Sequence, residues 1–168
     1  MKFGDRIVIM RDGFILQIGT PQEVFNHPAN LFVAGFIGTP QMNFFDAVLS
    51  KKGEKFVTTV MGKDFELPED KQDILKKMDK IPTDVSVGVR PVHIHLVDEG
   101  IEATVDVSEL MGSELYLHVN SNGKDVVIVV FTTDIDITAI HGGHNTVKYD
   151  FQPKLMQFFD KETEKNLF

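Results

Sequence analysis

The segment ELYLHVNSNGKDVVIVVF, residues 114–131, contains the strongest hairpin signal in this chain. Apolar and polar residues alternate on both sides of Asn122-Gly123, the dipeptide typical of a two-residue β-hairpin turn. The pattern therefore predicts two antiparallel strands with one buried face. The residues predicted to share that face are Leu115, Leu117, Val119, Val126, Ile128 and Val130.

The same period of two continues on both sides of this hairpin and predicts a mainly β body. It starts at Asn43, and Pro91 is expected to bend or end one of the strands, because proline cannot donate to a ladder. One short helix is predicted from Asp70 to Lys80, with Ile74, Leu75 and Met78 as its apolar stripe. Many short strands with one small helix indicate a closed or nearly closed β-barrel, which removes sheet edges. The other predicted strands include Phe45, Ala47 and Leu49, and run over Phe56–Val60, Val85–Val89, Ala103–Val107 and Thr146–Phe151. An apolar segment, Leu155–Phe159, closes the sequence.

A different pattern fills the first forty residues. Two apolar runs, Ile7–Met10 and Phe14–Ile18, flank Arg11-Asp12-Gly13 and predict a second hairpin. A helix with a capping box is predicted to start at Thr20, Pro21 and Glu23. His27-Pro28 is predicted to end this helix.

A second short helix is predicted after Asn30, which is its N-cap, with Gly38 as its terminator. Its sequence, LFVAGFI, is apolar on every side and must be covered on most of its surface. We expect no partner for it within the first forty residues.

Charge and composition divide the chain and narrow its function. The net charge of the 168 residues is −8, and residues 1–40 are neutral, so all the excess acid lies beyond them. We predict a domain boundary near Thr39-Pro40, giving segments 1–40 and 41–168. The chain has no cysteine, which excludes disulfides and thiolate-ligated zinc, and its acidity argues against nucleic acid as a partner. Without a signal peptide or a long apolar run, we expect a cytoplasmic protein.

Residues that could carry chemistry are few. A phosphate-binding loop needs the pattern G-x-x-x-x-G-K-[ST], which is absent from the sequence. His93 and His95 could bind a metal together with Asp98 if both imidazoles lie on one face of a strand. A polar strand face that alternates with apolar residues explains the two histidines better, because a clear third ligand is missing.

The remaining candidates also have simpler explanations. His141 and His144 could clamp a metal across two glycines, but a solvated glycine loop is favoured. The side chains of Asp134 and Asp136 are expected to be solvated. The serines show no spacing that indicates a catalytic triad. An oligonucleotide-binding role would need aromatic residues beside basic grooves, whereas the Phe residues fall mostly on apolar faces. We therefore predict no catalytic residue and no metal site.

Four stretches of the sequence resemble one family. The run GDRIVIMRDGFILQIGTPQEVFNHPANLFVAGFIGTPQMNFF (residues 4–45) closely resembles the end of the nucleotide-binding domain in importer ATPases of the maltose and glycerol-phosphate type. Three further segments resemble motifs of the regulatory domain that follows in that family. They are GVRPVHIHL, VDVSELMGSELYLHV and FQPKLMQFFDKETEKNL. Val92 stands where the family usually has Glu, and FTTDIDITAIHGGHNT replaces a more usual loop and strand. The positions that match the motifs, and so form a candidate regulatory or interface motif, are Arg90, Pro91, His93, Glu109, Gly112 and Glu114.

The resemblance implies a fold and a role. It implies a TOBE-type barrel of the oligonucleotide-binding (OB) class with a hairpin and helix appendage, acting as the regulatory and dimerisation domain of an ABC importer for sugars or related solutes. ATP and Mg²⁺ would belong to the parent protein, whose Walker motifs, signature motif and switch histidine are expected before Met1. This chain would then hold no cofactor and hydrolyse no ATP.

The implied partners are a second copy of the chain, the transporter's membrane subunits and regulatory proteins. The parent would lie peripherally on the inner face of the cell membrane. An alternative role is a small-ligand module that senses an oxyanion or a sugar. A stand-alone hydrolase is disfavoured, because no nucleophile, base and orienting group can be recognised together.

Overall fold

The computed structural model describes residues 5–134 and 146–168. Most of the described residues lie in strands, and the body is formed by a four-stranded and a five-stranded antiparallel sheet. Two 3-10 turns, Pro91–His93 and Pro153–Leu155, interrupt the strand succession. The elements are β1 (Ile7–Arg11), β2 (Phe14–Gly19), α1 (Pro21–Asn26), α2 (Leu31–Phe36), β3 (Asn43–Lys52), β4 (Lys55–Val60), β5 (Lys63–Glu66), α3 (Glu69–Lys76), β6 (Asp84–Val89), β7 (Ile94–Met111), β8 (Glu114–Ser121), β9 (Lys124–Phe131), β10 (Thr146–Phe151) and β11 (Gln157–Asp160).

The predicted central hairpin is confirmed. Strands β8 and β9 pair through Asn122 and Gly123, which both have positive φ, 50° and 84°. This is the backbone conformation that a two-residue turn of the primed type requires. The register places Leu117 opposite Ile128 and Val119 opposite Val126, and all four side chains are buried.

The mainly β barrel class is also confirmed, with the barrel wall made of two sheets. The strand orders are β10-β7-β8-β9 and β11-β6-β3-β4-β5, and the inner faces of both sheets contribute to one apolar core. Strand β7 extends far beyond the predicted segment Ala103–Val107. Its pairing with β10 jumps from Glu102 to Leu96, so residues 97–101 form a bulge inside a long strand.

Asn43 joins the two sheets at the start of β3. Its side-chain amide donates to the carbonyl of Val127 at 2.8 Å, and its side-chain oxygen accepts from the Val127 amide at 2.9 Å. The buried Asn43 side chain thus satisfies both backbone groups of a residue on β9, the edge strand of the other sheet. The Asn43 side chain thus takes the place of a backbone–backbone hydrogen-bonded pair between the two sheets.

Two details of the body differ from the prediction. Strand β5 was not predicted, and it follows a tight turn at Met61-Gly62, where both residues have positive φ. Helix α3 ends at Lys76, and Ile74 is 39% exposed while Leu75 is buried. The predicted stripe is wrong at Ile74 because the polar Gln72 occupies the buried face.

Gln72 is buried because the backbone satisfies it completely. Its side-chain oxygen accepts from the Phe56 amide at 2.8 Å, and its side-chain nitrogen donates to the carbonyls of Phe56 and Leu67. A polar residue that finds partners of this kind can enter the core without an unpaired group.

The predicted elements of the first forty residues are confirmed. The hairpin β1–β2 turns at Asp12-Gly13, and the capping box joins Thr20 and Glu23 in both directions, at 3.1 and 2.9 Å. Asn30 accepts from the Val33 amide at 2.9 Å and caps α2.

The expectation that α2 has no partner nearby is wrong. Val33 is fully buried against Val24 of α1 and Ile9 of β1, which belong to the same forty residues. Ala34, on another side of the helix, packs with Met42 and Phe159 of the barrel. The helix is therefore covered from two sides, because the hairpin and α1 fold over one face and the barrel covers another.

The longest helix among the described residues, α3, has eight residues, and none of their helices is long and apolar enough to cross a membrane.

Candidate functional site

The candidate site is the junction where the first forty residues meet the barrel, and Arg90 lies at its centre. Strand β6 ends at Val89, and Pro91 starts a 3-10 turn because it cannot donate to the ladder. Arg90 is held between these elements with 4% of its surface exposed. The end of β6 thus places the positively charged side chain of Arg90 inside the junction.

The guanidinium of Arg90 binds the C-terminal ends of both short helices. Its Nη1 donates to the carbonyls of Ile37 at 2.5 Å and Ala34 at 3.4 Å, and its Nη2 donates to the carbonyl of Phe25 at 3.1 Å. It also lies over the Phe25 ring, 4.1 Å from the centroid. These contacts cap carbonyls that have no intrahelical partner, at the end of a helix where positive charge is favourable. Burial lowers the pKa of Arg90 to about 10.

Gly38 makes room for this arrangement. Its φ is +105°, and a Cβ at this position would lie 2.9 Å from Nη1 of Arg90. A larger residue would therefore be strained in its backbone and would displace the guanidinium.

The C-terminal tail, residues 160–168, contacts the junction on a second side. The side chain of Asn166 donates to the carbonyl of Pro28 at 2.7 Å, and its backbone amide donates to Ala29 at 3.0 Å. The amide of Leu31 in turn donates to the carbonyl of Glu164 at 2.9 Å, and Leu167 donates to Phe158 of β11 at 2.9 Å. The tail therefore hydrogen-bonds both to the start of α2 and to the barrel.

Lys71 lies beneath the end of this tail. Its amine donates to the carbonyl of Met156 at 2.7 Å and lies over the rings of Phe158 and Phe168, at 4.9 and 5.5 Å. Burial lowers the pKa of Lys71 to about 8, and the nearby carboxylate of Asp70 opposes this shift. This contact could not be predicted from the sequence, because Lys71 follows Asp70 on a helix with a mostly polar sequence.

The sequence predicted that His93 and His95 lie on one face of a strand, and this prediction is wrong. His93 lies in the 3-10 turn and is half-buried, whereas His95 is exposed at the start of β7. The Nδ1 atom of His93 is buried and has no hydrogen-bond partner among the described residues. Burial, followed by the charges of Arg90 and His95, lowers the pKa of His93.

The structure places no third metal ligand with His93 and His95 in the part of the chain that it describes. Within residues 5–134 and 146–168, no group of three or more His, Cys, Asp or Glu side chains is placed to hold a metal ion. His141, His144 and Asp136 lie outside the described residues.

The six residues of the candidate motif fall into two groups. Arg90, Pro91 and His93 form the junction, whereas the other three belong to the β7–β8 hairpin. There Glu109 contacts His118 at 3.1 Å on the exposed face, and Gly112 has φ +66° in the turn before Glu114. The structure thus brings the first three together and places the others on a surface hairpin.

A depression of about 300 Å³ opens beside Arg90, between α1, the 3-10 turn Pro91–His93 and the 3-10 turn Pro153–Leu155. Four of the residues that line it are Arg90, His93, His27 and Lys154, and none of its lining residues is Asp or Glu. We call it the basic depression. Sequence reasoning missed it because its residues come from three distant parts of the chain.

The body of the chain matches two domain families. Residues 38–94 match the MalK OB fold domain, and residues 87–159 match the TOBE domain. A solved structure of ModG, a cytoplasmic molybdate-binding protein, aligns over 69% of this chain and 94% of its own with a TM-score of 0.50. At 10% identity this likeness shows the fold alone.

Relatives of known sequence extend the match to nearly the whole chain. The putative ABC transporter ATP-binding protein YcjV of Escherichia coli K12 is 37% identical over 168 residues, and YurJ of Bacillus subtilis, described as an ABC transporter ATP-binding protein, is 38% identical over 176. The oligosaccharides import ATP-binding protein MsmX of B. subtilis is 35% identical over 172 residues. These matches cover 98%, 100% and 98% of this chain but only 44%, 46% and 45% of the relatives. The chain therefore belongs to the MalK OB fold and TOBE domain families, and it is similar to ABC transporter ATP-binding proteins of which it spans less than half the length.

Proposed function

We propose that this chain provides the regulatory and dimerising part of the ATP-binding subunit of an importer for sugars or related solutes. The similarity to MsmX supports the class of solute, and the matches to the MalK OB fold and TOBE domains support the regulatory role. ATP and Mg²⁺ would be bound by the parent protein, which would dock on membrane subunits at the inner face of the membrane. We expect no ATP hydrolysis by the chain itself, because its sequence lacks a phosphate-binding loop.

The observation that carries the proposal is the buried junction at Arg90. One side chain of the barrel caps both short helices of the first forty residues, and the C-terminal tail binds the start of the second helix. A displacement of these helices would therefore be transmitted to the barrel, because packed and hydrogen-bonded elements move together. This is the mechanical property that a regulatory domain needs if it is to affect a catalytic domain next to it.

Dimerisation is assigned to the outer face of the β1–β2 hairpin. Val8 pairs with Ile18 and Met10 pairs with Ile15, so these four apolar side chains share one face of the ribbon, and each is about half exposed. A continuous apolar face of this kind is a typical protein interface.

A chimera of MsmX tests the transport role. The matched part of MsmX is replaced by this chain, and uptake of labelled oligosaccharide is measured in cells that lack MsmX. We expect the chimera to restore uptake, and the same chimera with Arg90→Met to restore much less at equal protein level. A chimera that folds and binds ATP but gives no uptake above empty cells would contradict the proposal.

A further inference from the structure

The charge of the basic depression is opposite to that of the protein around it. The chain carries 25 acidic and 17 basic residues, yet the residues that line the depression include two permanent cations, two histidines and no carboxylate. His27 and Lys154 are exposed, whereas Arg90 is buried and His93 half-buried. The depression therefore combines an inner wall of fixed positive charge with basic side chains exposed to solvent.

Arg90 carries a full charge that no carboxylate balances. Among the described residues, none of the ion pairs includes Arg90, and its acceptors are three backbone carbonyls and the face of a ring. Carbonyls supply only partial charges, and a buried charge is normally paired with an opposite one. An anion in the adjoining depression would supply the missing charge.

Donor groups remain for such an anion. A guanidinium has five N–H donors, and the carbonyl bonds of Arg90 come from Nη1 and Nη2, which leaves its Nε–H without a hydrogen-bond partner in this junction. His93 lines the same depression beside Arg90. Burial is the main cause of the lowered pKa of His93, and the positive charges of Arg90 and His95 add to it.

We propose that the basic depression binds a small oxyanion, either inorganic phosphate or the phosphate group of a small metabolite. Its volume, about 300 Å³, is sufficient for a phosphate group together with a small organic part. Arg90 and His93 provide the inner contacts, and Lys154 and His27 contact the anion from the solvent side. The site goes beyond the proposed transport function, since the MsmX chimera could restore uptake without binding an anion.

Calorimetric titration and thermal unfolding of the full chain test the site, with inorganic phosphate as the probe and ionic strength held constant with sodium chloride. The binding variants are Lys154→Gln and His93→Gln, and the matched control is Lys80→Gln, at an exposed lysine outside the depression. We expect saturable binding that raises the unfolding temperature. Each binding variant should weaken the affinity by about threefold to tenfold, the effect of losing one charge-assisted hydrogen bond, and the control should leave it unchanged.

Two further titrations separate the sources of the anion. Tighter binding of glucose 6-phosphate than of inorganic phosphate, with no binding of glucose, would assign the site to a phosphorylated metabolite. Equal binding of the two phosphates would assign it to the free anion. Stabilisation that does not saturate, or that is the same in wild type, Lys154→Gln and His93→Gln, would show a general salt effect and overturn the proposal.

The NMR signal of His93 provides a second readout. A bound phosphate should raise the pKa of His93, opposing the effects of burial, Arg90 and His95, whereas His27 and Lys154 add positive charge from the solvent side. Binding should then take up protons and become tighter as the pH falls through the titration range of His93. An unchanged titration of His93 in saturating phosphate would also overturn the proposal.

Discussion

The guanidinium of Arg90 lies 4.1 Å from the centroid of the Phe25 ring and donates to the carbonyl of the same residue at 3.1 Å, across 65 positions of the sequence. Stacking and hydrogen bonding to one residue fix both the distance and the orientation of α1 relative to β6. The two parts that the sequence divides near Thr39-Pro40 are therefore joined by a buried contact, so the structure holds residues 5–40 as an integral part of the fold.

The first prediction removes this contact with Arg90→Met. Methionine can still fill the space beside Phe25, but the carbonyls of Ala34, Ile37 and Phe25 lose their donor inside the junction. We expect a loss of about 2–4 kcal/mol in the free energy of unfolding, measured by urea denaturation.

The matched control is Arg11→Met, since Arg11 also lies over a ring, that of Phe32 at 4.8 Å, but is exposed. It should cost less than about 1 kcal/mol. Equal effects of the two substitutions would show that the buried contact of Arg90 has no special role.

The second prediction concerns the tail and uses Asn166→Ala. The substitution removes the donor to Pro28 and the acceptor for the Phe168 amide, at 2.7 and 3.0 Å. We expect a loss of about 1–2 kcal/mol and faster hydrogen exchange at the amide of Leu31, which donates to Glu164. Lys165→Ala, at an exposed neighbouring side chain, should leave exchange at Leu31 unchanged. Exchange at Leu31 that stays slow in Asn166→Ala would disprove the role of the tail.

Local signals in the sequence predicted local structure, and this pattern has a physical reason. The turn at Asn122-Gly123, the capping box of Thr20 with Glu23, and the cap at Asn30 each depend on residues within four positions. Such interactions form in nearly any context, so the residue types alone are sufficient evidence.

The contacts that build the candidate site were not predictable in this way. Asn43 and Val127 are 84 positions apart, and Arg90 and Ile37 are 53 apart. A polar residue next to an apolar run is usually solvated, and only the tertiary fold supplies carbonyls that allow it to be buried. The one available signal was the position of Arg90, between a strand of alternating valines and a proline that ends it.

The third prediction is a rise in stability with pH caused by Lys71. Its pKa in the folded chain is lowered from 10.5 to about 8, mainly by burial, whereas the unfolded chain regains the ordinary value. Between these two pH values the unfolded state binds more protons than the folded state, so the free energy of unfolding increases with pH. Lys71→Met should remove this increase.

The measurement is a set of urea denaturations from pH 7.5 to 10.5, compared between wild type and Lys71→Met. The pKa of Arg90, lowered to about 10, contributes only at the upper end of this range, and it is common to both proteins and cancels in the difference. Lys80→Met, at an exposed lysine away from the tail, is the control. A constant difference between wild type and Lys71→Met over this range would refute the prediction.

The last prediction is that the chain self-associates through the outer face of the β1–β2 hairpin. Val8, Met10, Ile15 and Ile18 are 50%, 54%, 57% and 48% exposed, and their cross-strand pairing places them on one face of a two-stranded ribbon. A second copy would cover these side chains and, by pairing with an edge of the ribbon, satisfy its free backbone groups.

The double variant Met10→Lys with Ile15→Glu tests this face without removing the buried side of the hairpin. The two side chains lie opposite each other and can form an ion pair, so the fold should persist while the face becomes charged. Val48→Lys, at a comparably exposed valine on β3, is the matched control. A version starting at Gln41 is a less direct test, since Arg90 would lose its acceptors on both helices and the barrel would be destabilised. By light scattering we expect the wild type and Val48→Lys to be dimers or larger oligomers and the double variant to be a monomer. A wild type that is monomeric throughout its soluble concentration range, or a double variant that stays oligomeric, would exclude this face as the interface.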